Sequence, residues 1–409
     1  MNVKNFFLTY LSRKFFLSLL AVLISGLALS FCAPQDHSAD HPENTPEQDR
    51  SSHIDHSDSH QEEHGPKEPF NAGKLIMEHI SDSHEWHLWG DHDNAVSIPL
   101  PIIAHTPEEG FKVFLSSKFH HGKDDYQGLR MVGKYIYRVN NGEFIDDKGS
   151  SVPADADGRP ALAEGQSLAP LKDFSITKNA VSIIFASLLI LFLFIRVGNT
   201  YKKRSGLAPK GLQNAVETVV CFIRDEVARP SVGEKNYERF MPFLLTIFFF
   251  IWINNVLGLV PFFPGGANTT GNIAIPLVLA TCVFVVVNLN GKKSYWRHTF
   301  AMPGIPIPIL LILTPIEILQ IFIRPIVLMI RLFANIMAGH IGMLVFFSLI
   351  FIFSKNGESL VGGYGVAIPS VAFTIFLFFL ELLVAAIQAY VFTLLTAIYI
   401  GMAVEEAHH

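Results

Sequence analysis

Apolar and charged positions divide the chain into three unlike stretches. Lys4, Arg13 and Lys14 precede an uncharged run, residues 15–31, that ends in small side chains. That pattern predicts a secretory signal peptide over residues 1–31, with Ala28, Leu29 and Ser30 as the cleavage site. An uncleaved N-terminal anchor, or lipidation at Cys32 behind the bulky Phe31, are the alternatives. Across residues 32–94 Ser, Asp, Glu, His and Pro dominate. Such a composition buries too little apolar surface to offset the entropy of ordering, so this exported segment is expected to be largely disordered. Residues 95–176 set short apolar or aromatic patches (96–103, 111–115 and 131–139) between Gly, Asp and Pro. They predict a small exported module, β-rich in form.

Residues 177–409 are different again. Residues 179–195 are 17 uncharged positions bounded by Arg196, Lys202, Lys203 and Arg204, and residues 240–291 hold no Asp, Glu, Lys or Arg in 52 positions. Pro261, Pro264, Gly265 and Gly266 interrupt that second run. At about 20 residues per crossing, the pattern predicts an all-α polytopic membrane protein. Five mature spans are expected, at about 178–198, 240–261, 272–290, 312–354 and 366–404. The last two exceed an upright crossing and must tilt or break, with Pro315 and Pro325 as the places for a break. Residues 208–232 alternate apolar and charged positions at helical spacing, which predicts an amphipathic helix along the inner surface.

Composition agrees with this partition. The chain is 50% hydrophobic and 16% charged with mean hydropathy +0.35, against about 25% charged in a soluble domain. A net charge of −5 excludes nucleic acid as a partner held by overall charge. Cys32, Cys221 and Cys282 lie too far apart for a zinc knuckle or a disulfide framework. Lys and Arg mark the cytoplasmic side. Eight of them fall in residues 199–239, and Lys292, Lys293 and Arg297 follow; the alternate connections hold none (262–272) and Lys355 alone. The N-terminal module is therefore expected outside and the C-terminus inside. Of 17 His, 13 fall between His37 and His121. Among them His53, His56, His60 and His64 are the only metal-ligating candidates, in a setting that suits weak divalent binding or proton buffering.

Ionisable residues at membrane depth are costly and point to function. Here they are Glu317, Arg324, Arg331 and His340 on one span and Glu381 on the next. Arg331 and Asn335 share a helix face with Arg324, whereas His340 is about half a turn out of phase with Arg331; Glu381 and Gln388, seven apart, share a face of the last span. Glu317 and Arg324 suit a place at the inner headgroups, snorkelling or pairing with each other. His340 suits a functional or a packing role, and Asn335 and Gln388 suit interhelical hydrogen bonds. Arg331 deep in a span needs a carboxylate partner, either Glu381 or a group on another subunit.

Residues 325–340, PIVLMIRLFANIMAGH, resemble the signature of subunit a of the F-type ATP synthase membrane sector. Residues 381–402, ELLVAAIQAYVFTLLTAIYIGM, are similar to that family's last helix, and Asn254 and Asn255 with LGLVP at 257–261 to its second span. The resemblance covers about residues 177–406. Many members carry Glu where His340 stands and His where Glu381 stands, so the pair looks exchanged here, and the long His-rich region has no counterpart in the family's core.

The resemblance implies a non-catalytic stator in a bacterial inner membrane, with its N-terminal module periplasmic and its C-terminus cytoplasmic. It would offer two aqueous half-channels and an essential Arg331 to the carboxylates of a rotating c-ring. His340, Glu381, Gln388 and Asn335 would form a proton path. Partners would be the c-ring, peripheral-stalk b subunits, the remaining ATP synthase subunits and membrane lipid; protons would be the transported ion, with no cofactor. The alternative is a metal-ion or other secondary transporter with a His-rich exterior, which should gather several ligands inside its spans; here His340 stands alone there. A membrane protease has no HExxH or paired nucleophile to support it.

Overall fold

The computed structural model describes residues 72–89, 96–106, 109–120, 122, 124–133, 135–146, 150–154, 160, 171–204, 207–300, 302, 305–354 and 359–405, together with Ser18. The expected signal peptide and most of the His-rich segment, including His53, His56, His60 and His64, lie outside the described residues.

The N-terminal module begins with α1 (Ala72–Ile80) and is otherwise built from short strands. β1 (Glu85–Trp89) pairs antiparallel with β2 (Val96–Pro99). β3 (Pro101–Thr106) lies between β4 (Gly110–Leu115) and, further along the chain, β9 (Lys172–Asp173). β5 (Leu129–Val132), β6 (Tyr135–Asn140), β7 (Glu143–Ile145) and β8 (Ser151–Val152) form a meander. Alternation explains β3: Ile102, Ala104 and Thr106 point into the core while Pro101, Ile103 and His105 do not. The β6–β7 turn needs positive φ at both central residues, which Asn141 and Gly142 supply at 51° and 86°. Ile102, Ala104, Phe119, Leu129 and Ile136 close a small core.

Helices make up the rest. α2 (Lys178–Lys203) starts where the Thr177 hydroxyl accepts the Ala180 N–H. α3 (Leu212–Phe222) runs on through a π-helical stretch, Ile223–Ala228, and a last turn, Arg229–Val232. α4 (Tyr237–Leu259) is apolar on every side, and 72% of its most hydrophobic stretch is buried, so it forms the centre against which α2 and α8 pack. α5 (Ala274–Asn290) and α6 (Lys293–Phe300) are bent by 103° at Gly291 and Lys292. α7 (Ile307–Phe353) and α8 (Leu360–Val404) pack on each other along their length.

Four helices are long and apolar enough to cross a membrane, and a fifth crossing follows if the bent pair is one span. Of the two alternatives, tilt or break, the helix takes the unbroken one: Pro315 and Pro325 both lie inside continuous helix. Proline is tolerated within such helices where neighbouring helices, side chains or ordered water satisfy the backbone groups it frees. At 47 residues α7 would run about 70 Å, so it tilts steeply across a core of ~30 Å.

The end of the bundle away from the module is locked by short-range contacts. Arg239 Nη2 donates to Asn290 Oδ1 at 2.7 Å, and the Lys292 N–H donates to the Ala403 carbonyl at 2.9 Å. Gly401 of α8 lies so close to the Ser231 carbonyl that a Cβ there would overlap it. Gly401→Ala should therefore destabilise the bundle by about 1–3 kcal/mol, read as a lower melting temperature of the detergent-solubilised protein; an unchanged melting temperature would show that this approach is not tight.

Candidate functional site

α7 sorts its residues into two rows. Leu328, Leu332, Ile336 and His340, four apart, are buried against the bundle. Arg331, Ala334, Asn335 and Ala338 form an exposed row beside them. Arg331 therefore faces outward from the chain on a ridge of small residues. Among the described residues it makes no hydrogen bond or ion pair, so Glu381 is not the partner that a mid-span guanidinium calls for.

Glu381 pairs with His340 instead. His340 Nε2 lies 3.5 Å from Glu381 Oε1, and the Glu381 side chain is 3% exposed. That separation exceeds a good hydrogen bond, and neither Glu381 oxygen has a hydrogen-bond partner. The carboxyl reaches α7 because position 339 is glycine: a Cβ there would stand 2.8 Å from Glu381 Cδ and Oε1. On the other side His340 faces Gly258 of α4, where a Cβ would be 3.7 Å from Nε2 and 3.2 Å from the Ala267 carbonyl. Gln388 follows Glu381 down the same buried face of α8.

Around this pair the connection between α4 and α5 adds a buried polar group. Thr270 donates to Asn255 Oδ1 at 2.7 Å, and Asn268 Oδ1 accepts the Gly271 N–H at 3.0 Å. The amide nitrogens of Asn255 and Asn268 remain without partners. Buried donors and acceptors are nearly always satisfied, so these amides and the Glu381 carboxyl stand out from the apolar packing around them.

A second polar cluster lies on the other side of Arg331. Arg324 accompanies Gln320, whose Oε1 is 3.3 Å away, and stacks over the Tyr399 ring at 5.6 Å. Arg324, Tyr399, Tyr295 and Asn288 line a cavity of about 20 Å³, large enough for one water. Asn288 Oδ1 is buried there without a partner, and the charges of Arg324 and Glu317 both act on Tyr295. Arg324 and Glu317 do not form an ion pair among the described residues. Along α7, Arg331 stands ~10 Å from Arg324 and ~13 Å from His340.

The structure thus joins His340 with Glu381, keeps Gln388 on their side, and leaves Arg331 and Asn335 together on an open face. Sequence reasoning missed Tyr295, Tyr399, Asn288 and Gly258, none of which is charged. Gly339 was visible only as the glycine of the α7 motif. No set of three or more potential metal ligands occurs among the described residues.

Residues 180–401 match the family described as ATP synthase A chain, and residues 75–174 match a domain of unknown function (DUF8433). The chain is 42% identical over 241 residues to ATP synthase subunit a of Chloroherpeton thalassium, covering 58% of this chain and 69% of that protein. It is 44% identical over 245 residues to ATP synthase subunit a of Chlorobium phaeobacteroides, covering 58% and 67%. It is 41% identical over 243 residues to ATP synthase subunit a of Myxococcus xanthus, covering 58% and 75%.

The contact between His340 and Glu381 predicts non-additivity. In thermal denaturation, His340→Ala and Glu381→Gln combined should differ from the sum of the single changes by about 0.5–3 kcal/mol. Additive losses would mean that the two side chains do not interact.

Proposed function

Because the chain belongs to the ATP synthase A chain family, we propose that it works as the stator of the membrane sector, passing protons between two half-channels and the carboxylates of a rotating c-ring. The observation that carries this reading is the position of Arg331: outward on α7, unpaired among the described residues, with a separate polar cluster on each side of it along the helix axis.

The chemistry follows from charge in a low-dielectric medium. A ring carboxylate turned to lipid has to carry a proton, because its anion is too costly there. Turned to Arg331 it is favoured as the anion. At ~4 Å in a partly desolvated setting the attraction is on the order of 4 kcal/mol. A guanidinium does not give up its proton, so Arg331 holds the ring site open without conducting. Ala334 and Ala338 let the ring approach, and Asn335 gives its carboxyl a hydrogen-bonding neighbour. Protons then pass from one half-channel to the other only as the ring turns, and each elementary charge crossing 100 mV releases about 2.3 kcal/mol.

His340 and Glu381, with Gln388 below and the amides of Asn255 and Asn268 above, form the outer half-channel. An imidazole, which can both accept and donate a proton, makes a relay when it stands beside a carboxyl. Glu317, Arg324, Tyr295 and Asn288 form the inner one. On this reading the N-terminal module stands in the periplasm and the C-terminus in the cytoplasm; what supports it is the Lys and Arg content of the alternate loops. Transport needs no cofactor, and the peripheral-stalk b subunits hold the chain against the turning ring. The transporter reading gains no observation of its own.

Two experiments test the proposal. Arg331→Ala should abolish ATP synthesis driven by a proton gradient and open a passive leak, and Arg331→Lys should also fail, since a buried ammonium can lose its proton and lacks the planar fork. Membranes with Arg331→Ala that still made ATP at near-normal rates would remove the central claim. For orientation, an impermeant thiol reagent applied from outside should reach a cysteine at Phe262 and not one at Lys293; the reverse pattern would invert the topology.

A further inference from the structure

The N-terminal module is not a loose appendage on a tether. α1 packs against α7, the helix that carries His340. The segment that follows α1 then crosses to the start of α2. Asp82 Oδ1 accepts the Asn179 N–H at 3.1 Å, the Ser83 carbonyl accepts the Lys178 N–H at 2.9 Å, and His84 Nε2 meets Asp173 Oδ2 at 2.5 Å. The first two of these bonds satisfy N–H groups that the first turn of α2 would otherwise leave open. Burial works against the Asp173 carboxylate, but hydrogen bonds from His84 and Ser175 outweigh it and hold its pKa below the ordinary value.

Two residues beyond His84, Trp86 is 3% exposed and packs edge to face on Phe263, with ring centroids 5.1 Å apart. Phe263 belongs to the connection between α4 and α5. The same connection places the Ala267 carbonyl over Gly258, next to His340, and holds Asn268, Thr269 and Thr270 buried against Asn254 and Asn255. The module therefore rests on the segment that roofs the His340 and Glu381 pair, and it grips the helices on both sides of that roof.

We propose that this module, the region matching a domain of unknown function, serves as the entry vestibule of the outer half-channel: it holds the connection between α4 and α5 in place and limits how water and protons reach His340 and Glu381. Trp86 is the positioning residue, acting through Phe263. Seated on Phe263, it keeps the connection closed down over Asn255 and Asn268. Once it is gone, the connection loses its outer support and opens more often. The inference rests on the reading of His340 and Glu381 as a proton path, and it adds a role for residues 72–176 that the family match over residues 180–401 does not reach.

The test uses the assembled ATP synthase in right-side-out vesicles, with native cysteines replaced and a cysteine at Asn268, which is 6% exposed. Reaction with a cationic, impermeant thiol reagent should be slow with the module intact. It should be faster by about tenfold with Trp86→Ala, the scale set by losing an aromatic contact. Phe263→Ala, which leaves the module's own core untouched, should give the same acceleration. A cysteine at Lys293, at the far end of the bundle and on the inner side, should stay unlabelled in the parent and in both variants. Passive proton flux through the membrane sector, measured against outer pH, should rise with either variant at pH values where entry limits it. Equal labelling rates and superimposable flux profiles in the parent, Trp86→Ala and Phe263→Ala, with assembly normal, would overturn the proposal. That outcome together with a dead Arg331→Ala would leave the proton-path reading standing and remove only the vestibule. A functional Arg331→Ala would remove the reading beneath it.

Discussion

Two helices of 47 and 45 residues cross closely because one position on the first has no side chain. Gly339 of α7 admits the Glu381 carboxyl of α8, and a methyl group there would meet it at 2.8 Å. Every other feature of the polar site depends on that crossing. It sets His340 beside Glu381 and turns the Leu328, Leu332 and Ile336 row inward. By helical periodicity it then turns Arg331 and Asn335 outward. A carboxyl buried in an apolar bundle is expensive unless something polar accompanies it, so its neighbourhood had to become polar: His340, Gln388 and the amides of the connection between α4 and α5.

The bundle around that crossing is uneven. α4 is enclosed, while only 17% of the most hydrophobic stretches of α7 and α8 is buried. A monomeric soluble protein does not leave such apolar area open. Here that area belongs to helices long and apolar enough to cross a membrane, and Arg331 interrupts it on the exposed face of α7.

Rigidity comes from the two ends. At one, Gly401 against Ser231 and Lys292 against Ala403 fix the last turn of α8 to the surface helix and to the bend between α5 and α6. At the other, residues 82–86 cap α2 and brace the connection above His340. Anchoring both ends against short, stiff segments keeps the two long helices in register without filling the middle, where His340 and Glu381 meet.

Sequence alone separated a strand-bearing N-terminal module from a helical membrane region, because membrane insertion demands long uncharged runs and strands demand alternation, and both are written in order along the chain. It also separated the Arg331 face from the His340 face, since 100° per residue is local geometry. Whether the penultimate helix tilts or breaks was left open by Pro315 and Pro325, and the folded bundle, which packs neighbours against it, keeps it continuous. Which acid answers which base was a tertiary decision. Glu381 was equally available to Arg331 or His340 by sequence, and only the crossing at Gly339 assigned it to His340. Asn288, Tyr295 and Tyr399 join Arg324 from three different helices, so no spacing in one segment announced them. Nor did any pattern place Trp86 on Phe263, 177 positions further along. Contacts between distant segments follow from how whole faces pack, and that is information the chain holds only once it is folded.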